Sequence, residues 1–249
     1  MTTDFAAIAS TYDETRYGHS EILTIVKDAI RRHQGTDMTI VDVGCGTGNE
    51  TSLIRELPQA SMVIGVDSCL EMLSKARRKG LLLLVMADAS ALPFRDASVD
   101  MVFSSFLLHH LRGRELRQLF AESYRILRRG GVVLSIAAEH AQLRRKIYAP
   151  YFPDAIDAEC ARTPDRTEVE TIYREAGFAS VEATPFLYEL RDRDSMVARL
   201  NGRYASQLTL LDPDEFAAGM TALKADAERF DAKGAIPEYR NTYLGWKTQ

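Results

Sequence analysis

The sequence predicts an α/β fold: a doubly wound, seven-stranded, mostly parallel sheet with an inserted helical lid. Three observations carry that reading. Strand-like apolar runs alternate with helix-like amphipathic runs along most of the 249 residues, the pattern of a parallel sheet with crossover helices. The first clear strand, IVDV at residues 40–43, enters a turn holding Gly44, Gly46 and Gly48. The second, MVIGV at residues 62–66, closes on an acid, Asp67. Together they describe a nucleotide site, because glycines admit a ligand close to the backbone and the acid can hold a ribose diol.

The elements follow in order. Ile22, Ile25, Val26, Ala29 and Ile30 form a helical stripe over residues 20–33 that stops at Gly35. Strand one is Thr39 to Val43, and a helix from Asn49 to Leu57 ends before Pro58. Strand two is Met62 to Val66, after which Ser68 and Glu71 spell an S-x-x-E capping box. Strand three, Leu81 to Met86, is apolar throughout, which predicts burial on both faces. Strand four is Val99 to Ser104. Leu116, Leu119, Phe120 and Leu127 mark an amphipathic helix ended by the Gly130-Gly131 turn, and strand five is Val132 to Ala137.

Beyond residue 140 the rhythm changes. Residues 141–165 carry Arg144, Arg145, Lys146, Tyr148, Tyr151 and Phe152 without a strand signal, which predicts an inserted cover. Thr167 and Glu170 spell another capping box, for a helix stopped by Gly177, and strand six is Val181 to Leu190. Val197, Leu200, Tyr204, Leu208 and Leu211 form one helical stripe; Phe216, Met220, Leu223 and Phe230 form another, opened by Asp212 as cap and Pro213 at the first helical position. Tyr239 to Trp246 is the last strand. The expected organisation is a helical cover over 1–35, a cofactor-binding core over 36–140, a lid insertion over 141–165, and the rest of the core over 166–249 with a helical lid insertion at about 192–234.

Composition narrows the class. Hydrophobic residues make up 46% and charged residues 27%, as in an ordinary globular protein. No apolar stretch approaches the length of a spanning helix, so no membrane partner is expected. The first residues lack a basic and then apolar leader pattern. Cys45, Cys69 and Cys160 show no paired spacing, which suits free thiols in a reducing cytoplasm. A net charge of −4 argues against a nucleic-acid partner. A dinucleotide fingerprint would need glycine where Asn49 stands, and no phosphate-binding G-x-x-x-x-G-K-[ST] occurs. Adjacent His109 and His110 point apart from any regular element and have no H-E-x-x-H context, so no metal is expected.

The segment IVDVGCGTGNE resembles motif I of the class I S-adenosylmethionine-dependent methyltransferases, a Rossmann-like family. Asp67, the run Met86-Ala87-Asp88-Ala89, the run VDMVFSSFLLHHL at 99–111, ILRRGGVVLSI at 126–136 and the upstream Tyr12-Asp13-Glu14-Thr15-Arg16 are similar to further motifs of that family, in its order and spacing. Its small-molecule group, with quinone-biosynthesis and secondary-metabolite members, is the nearest in pattern.

The resemblance implies S-adenosyl-L-methionine as cofactor and a small-molecule acceptor. Asp67 then binds the ribose hydroxyls, Asp88 with Ala89 the adenine amino group, and Gly44, Cys45, Gly46 and Gly48 the turn beneath the ligand. Asp42, with a bend role as its alternative, helps position the methionine moiety. Ser68, Met72 and Ser104 complete the cofactor set, and Tyr12 and Arg16 cover it, Arg16 through a guanidinium fork suited to a carboxylate. Cys45 is otherwise a small space-filler. His109 is the candidate base, because methyl transfer to a protonated acceptor needs one proton removed near neutrality; helix packing is its alternative role. Tyr17, His19, His109, Tyr148 and Tyr204 are the candidate acceptor contacts. The basic run Arg144-Arg145-Lys146 reads as a solvated helix face, or, beside the lid aromatics, as a receiver for an anionic acceptor.

Two rival classes stay open. A macromolecular methyltransferase of RNA or protein is one, although Ser104-Ser105-Phe106-Leu107 replaces the [DN]-P-P-[YF] motif. A cofactor-binding protein without turnover is the other. The chain is expected to act as a monomer or homodimer.

Overall fold

A computed structural model describes residues 5–9, 12–15, 20–191, 193–203, 206–226 and 236–248. Its strands are β1 (Thr39–Val43), β2 (Met62–Asp67), β3 (Leu84–Met86), β4 (Val99–Ser105), β5 (Leu127–Ala137), β6 (Val181–Arg191) and β7 (Ile236–Trp246). They form one seven-stranded sheet in the order β3-β2-β1-β4-β5-β7-β6. Pairings from β3 through β5 are parallel, and β7 runs antiparallel between β5 and β6. The helices are α1 (Phe5–Ile8), α2 (Tyr12–Thr15), α3 (Ser20–His33), α4 (Asn49–Arg55), α5 (Leu70–Arg78), α6 (Arg114–Ile126), α7 (His140–Arg144), α8 (Pro153–Arg162), α9 (Arg166–Glu175), α10 (Arg193–Asn201) and α11 (Pro213–Ala225).

Period-two alternation divides the central strands between two cores. Val41, Val43, Val102 and Val133 pack with Leu116, Leu119 and Phe120 of α6 and Val169, Ile172 and Tyr173 of α9. Ile40, Met101, Phe103, Val132 and Leu134 pack on the other face with Ile22, Val26 and Ile30 of α3 and Ile54 of α4. A third cluster lies apart from the sheet. It joins Tyr148, Phe152 and Ile156 to Met196, Leu200, Leu208, Met220 and Leu223. This helical layer has a core of its own.

Several sequence expectations are corrected. The third strand shortens to β3, three residues at the sheet edge, where Leu84 and Val85 are half-buried and Met86 is exposed, as are Leu82 and Leu83 before it, so it is not buried on both faces. The Ser68/Glu71 capping box does not form: α5 opens after Cys69, and the Cys69 N–H is taken by the Asp67 carboxylate. α9 is capped by Asp165, which accepts from the Glu168 N–H at 2.8 Å, while Glu170 turns to Arg166. β5 begins at Leu127, before the glycine pair, and its register against β4 shifts there. The stripe through Val197 and Leu208 is split into α10 and a 3-10 turn, Ser206–Leu210. Asp212 and Pro213 open α11 as expected, and Phe230 lies outside the described residues.

A buried polar chain ties the sheet to α9. The Tyr173 hydroxyl donates toward Ser135 Oγ and the Tyr243 carbonyl, both at 3.1 Å, and Ser135 Oγ lies 2.9 Å from Ser104 Oγ. Tyr173→Phe leaves two buried acceptors short of a donor, so it is expected to lower stability by about 1–2 kcal/mol in chemical denaturation.

Candidate functional site

The glycine turn is fastened to β2 at three points. The Gly44 and Cys45 N–H groups both donate to the Val66 carbonyl, at 2.8 and 3.0 Å. The Gly46 N–H donates to Asp67 Oδ2 at 2.8 Å, and the Cys69 N–H to Asp67 Oδ1 at 2.8 Å. An ionised carboxylate has about four acceptor positions, so Asp67 keeps capacity for a ligand diol. Burial raises its pKa, against the lowering effect of the Cys69, Gly46 and Ser68 backbone amides.

The three glycines answer to different constraints. All have positive φ: 75° at Gly44, 54° at Gly46 and 77° at Gly48. A Cβ on Gly48 would stand 2.2 Å from Leu81 Cδ1, and one on Gly44 would stand 2.9 Å from Leu107 Cδ1. At Gly46 nothing lies within 4 Å, and this residue lines a cavity of about 500 Å³. Packing therefore demands Gly48, beside the buried Leu81, and only crowds Gly44, whereas Gly46 leaves space for a ligand.

That cavity crosses the carboxyl ends of the parallel strands, from β3 to the antiparallel pair. On one side it gathers Cys45, Asp67, Ser68, Met72, Asp88 and Ala89. Asp88 is held by an Asx turn, its Oδ1 accepting from Ser90 N–H and Ser90 Oγ at 2.7 Å each, and these bonds hold its pKa low. Glu50, half-buried at the start of α4, faces the same space; desolvation pushes its carboxyl up to about 7. Tyr12 lines the cavity from α2. The neighbouring Asp13 fastens α2 to the glycine turn: it accepts from Thr47 Oγ1 at 2.6 Å and Asn49 Nδ2 at 3.3 Å, and pairs with Lys79 Nζ at 2.9 Å. Burial opposes ionisation of Asp13, but those three partners outweigh it and lower its pKa.

The other side is built by β4, the antiparallel strands and the helical layer. His109 lines it, with Nε2 3.9 Å from Glu159 Oε1, and Glu159 also pairs with Arg162. Phe106, at the exit of β4, and Tyr188 pack edge to face at 5.2 Å, and the Arg240 guanidinium lies over both rings.

Four expected site residues are placed elsewhere. Asp42 is buried beneath the turn and accepts from Thr51 Oγ1 at 2.5 Å, since its position in β1 directs it away from the cavity. Ser104 points into the sheet toward Ser135, and its neighbour Ser105 faces the cavity instead, one residue changing the side. Gly48 packs against Leu81 behind the turn. Tyr148 lies in the core of the helical layer; its hydroxyl accepts from Lys146 Nζ at 2.9 Å and Gln207 Nε2 at 3.4 Å, so it supports two lining residues. Arg16, Tyr17, His19 and Tyr204 lie outside the described residues. Of the basic run, Arg144 is exposed and pairs with Asp157, and Lys146 alone reaches the cavity. Glu50, Glu159, Arg162 and Arg240 were missed from sequence, although the Glu159/Arg162 spacing and an arginine inside an apolar strand were legible signals. Cys45 is buried against Gly65, and desolvation raises its thiol pKa, as befits a filler rather than a nucleophile. Among the described residues no cluster of three or more His, Cys, Asp or Glu is placed to hold a metal, and no helix is long and apolar enough to cross a membrane.

Known proteins resemble the chain in sequence and in fold. Residues 41–135 match the family model described as a methyltransferase domain. Over those residues the chain is similar to the class I S-adenosylmethionine-dependent methyltransferases. A malonyl-[acyl-carrier protein] O-methyltransferase of Coxiella burnetii is 30% identical over 128 residues, covering 51% of this chain and 43% of that protein. Matches to the first curated relatives span 33% to 50% of those proteins' own length. Among solved structures, a methyltransferase described as from an antibiotic biosynthesis pathway of Anabaena variabilis superposes with a TM-score of 0.74 at 22% identity, covering 92% of this chain and 98% of that one. A Haemonchus contortus phosphoethanolamine N-methyltransferase, solved with S-adenosylhomocysteine, has a TM-score of 0.54 at 19% identity, covering 86% and 50%. These two show the fold.

Two predictions follow from this packing. Gly46→Ala is expected to cost only the strain of positive φ, about 1–2 kcal/mol, yet to weaken nucleotide binding in calorimetry. Gly48→Ala is expected to unfold at clearly lower temperature, because its Cβ collides with Leu81. Asp42 gives the second: burial raises its carboxyl from 3.8 to about 7. The folded state then holds that proton more tightly than the unfolded chain, so the contribution is present below pH 3.8 and lost as pH rises through about 7. Asp42→Asn is expected to flatten that decline in melting temperature between pH 4 and pH 7.5, measured at about five pH values.

Proposed function

We propose that the protein transfers a methyl group from S-adenosylmethionine to a small-molecule acceptor enclosed beneath the helical layer. The observation that supports this most is that one cavity joins Asp67 and Asp88 to His109 and to side chains from α8 and α10. A volume of about 500 Å³ falls within the usual range for small-ligand sites. When bound, S-adenosylmethionine supplies an electrophilic methyl on a sulfonium centre.

The chain's own residues would then act as follows. Asp67, fixed by two backbone N–H groups, accepts from the ribose hydroxyls. Asp88 accepts from the adenine amino group, and the open face of Gly46 admits the nucleoside to the backbone. Glu50 and Asp67 give this side a negative field suited to a cation. His109 takes the acceptor's proton, and Glu159 is a positioning residue beside the Nε2 where positive charge develops. Alignment under a water-excluding cover supplies much of the rate. Residues 141–165 and 192–234 act as that lid, and residues 1–35 as a second cover tied down through Asp13. The protein works in the cytoplasm as a monomer or homodimer, in the manner of the small-molecule group that includes quinone-biosynthesis and secondary-metabolite enzymes. Enclosure by helices favours a small acceptor over an RNA or protein substrate.

Calorimetric titration with S-adenosylhomocysteine, with NADH in parallel, tests the cofactor half. The first is expected to bind and the second not, with Asp67→Ala weakening binding at least about tenfold, or 1.4 kcal/mol. Absence of S-adenosylhomocysteine binding would overturn the reading. With an acceptor in hand, His109→Gln is expected to lower kcat/KM about a hundredfold while leaving cofactor affinity intact.

A further inference from the structure

Among the described residues, five carboxylates line the cavity: Asp67, Asp88, Glu115, Glu159 and, at the second position of α4, Glu50. The first four are engaged by the protein itself. Asp67 holds the Gly46 and Cys69 N–H groups, and Asp88 holds Ser90. Glu115 accepts from the Arg112 N–H at 3.3 Å, and Glu159 pairs with Arg162. Glu50 receives only its own backbone N–H. The cation that acts on it, Lys79, is taken up by Asp13 at 2.9 Å, Asn49 Oδ1 at 2.6 Å and Thr47 Oγ1 at 3.1 Å.

A carboxylate drawn out of water and left without donors is costly in its charged form. Desolvation accordingly pushes half-buried Glu50 up to about 7. Such a group is fitted for a cation that arrives with the ligand. Position says which ligand. Glu50 follows Gly46 along the same turn and helix start, and the Gly46 N–H is bonded to Asp67 while its open face adjoins the cavity. The two acids therefore serve one stretch of backbone, and one ligand can engage both.

The proposed cofactor carries two cations, a sulfonium and an α-ammonium. A sulfonium has no N–H to give, whereas an ammonium offers three donors to a carboxylate with open acceptor positions. An unpaired carboxylate set against the electrophilic methyl would also compete with the acceptor as a nucleophile. We infer that Glu50 receives the α-ammonium of the cofactor's amino-acid end, and that this pairing separates the complete cofactor from a nucleoside without that tail. The inference rests on the cofactor reading above and adds to it the side chain that recognises the tail.

The test is calorimetric titration of the full chain and of Glu50→Gln with three ligands. S-adenosylmethionine carries both cations, S-adenosylhomocysteine only the ammonium, and 5′-methylthioadenosine neither. Glu50→Gln keeps the size of the side chain and removes its charge. It is expected to weaken S-adenosylhomocysteine about tenfold or more, while 5′-methylthioadenosine stays within about twofold. That retained affinity also reports that the variant is folded. Asp67→Ala, by contrast, is expected to weaken both, because both carry the ribose. Glu50→Asp, which keeps the charge, is expected to recover part of the loss. Equal weakening of S-adenosylhomocysteine and 5′-methylthioadenosine in Glu50→Gln would overturn the inference, since the residue would then act on the turn. So would weakening of S-adenosylmethionine alone, which would assign Glu50 to the sulfonium. S-adenosylhomocysteine bound by the natural chain and unmoved in Glu50→Gln would remove this inference and leave the cofactor reading standing. No binding to the natural chain would sink both.

Discussion

The Asp67 carboxylate is the contact on which the site is assembled. It accepts from the Gly46 N–H on one oxygen and from the Cys69 N–H on the other, so a single side chain joins the turn after β1 to the start of α5. The Val66 carbonyl adds two bonds to the same turn. Backbone in a tight, left-handed turn leaves N–H groups that must find acceptors, and here the end of the adjacent strand provides them. This fixes the turn in the conformation that opens Gly46 to the cavity. The N-terminal helix α2 then rests on the turn through Asp13, Thr47, Asn49 and Lys79.

A second constraint is electrostatic. Acids gather on the side of the cavity formed by β1, β2 and β3, and cations gather on the side formed by β7 and the helical layer. In a space shielded from water, charges of each kind interact more strongly than they would at the surface. Glu159 lies between the two regimes, touching both His109 and Arg162. One carboxylate thereby couples the candidate base to the cationic wall.

Much of the central sheet was legible because its chemistry is local. Alternating apolar residues in β1, β4 and β5 and the stripe in α3 give a period that survives any packing, and the glycine turn announces itself by spacing. The capping boxes at Ser68 and Thr167 misled because competing acceptors, Asp67 and Asp165, stood one or two residues earlier. β3 misled because an apolar run cannot reveal whether a strand will have a neighbour on each side. Ser104 and Ser105 show the same difficulty at the site: with a period of two, an error of one residue exchanges sheet interior for cavity.

The sequence by itself determined the α/β class, the glycine turn and the acids at the ends of the second and third strands, since each depends on neighbours within a few residues. Tertiary structure alone decided the other side of the cavity. Glu159, Arg162, Arg199, Tyr188 and Arg240 come from α8, α10, β6 and β7, far apart in the chain, and converge only because β7 inserts antiparallel between β5 and β6 while the helical layer folds over the strand ends. No local pattern encodes that convergence, because the charges meet through packing that the hydrophobic clusters of the whole chain must first bring about.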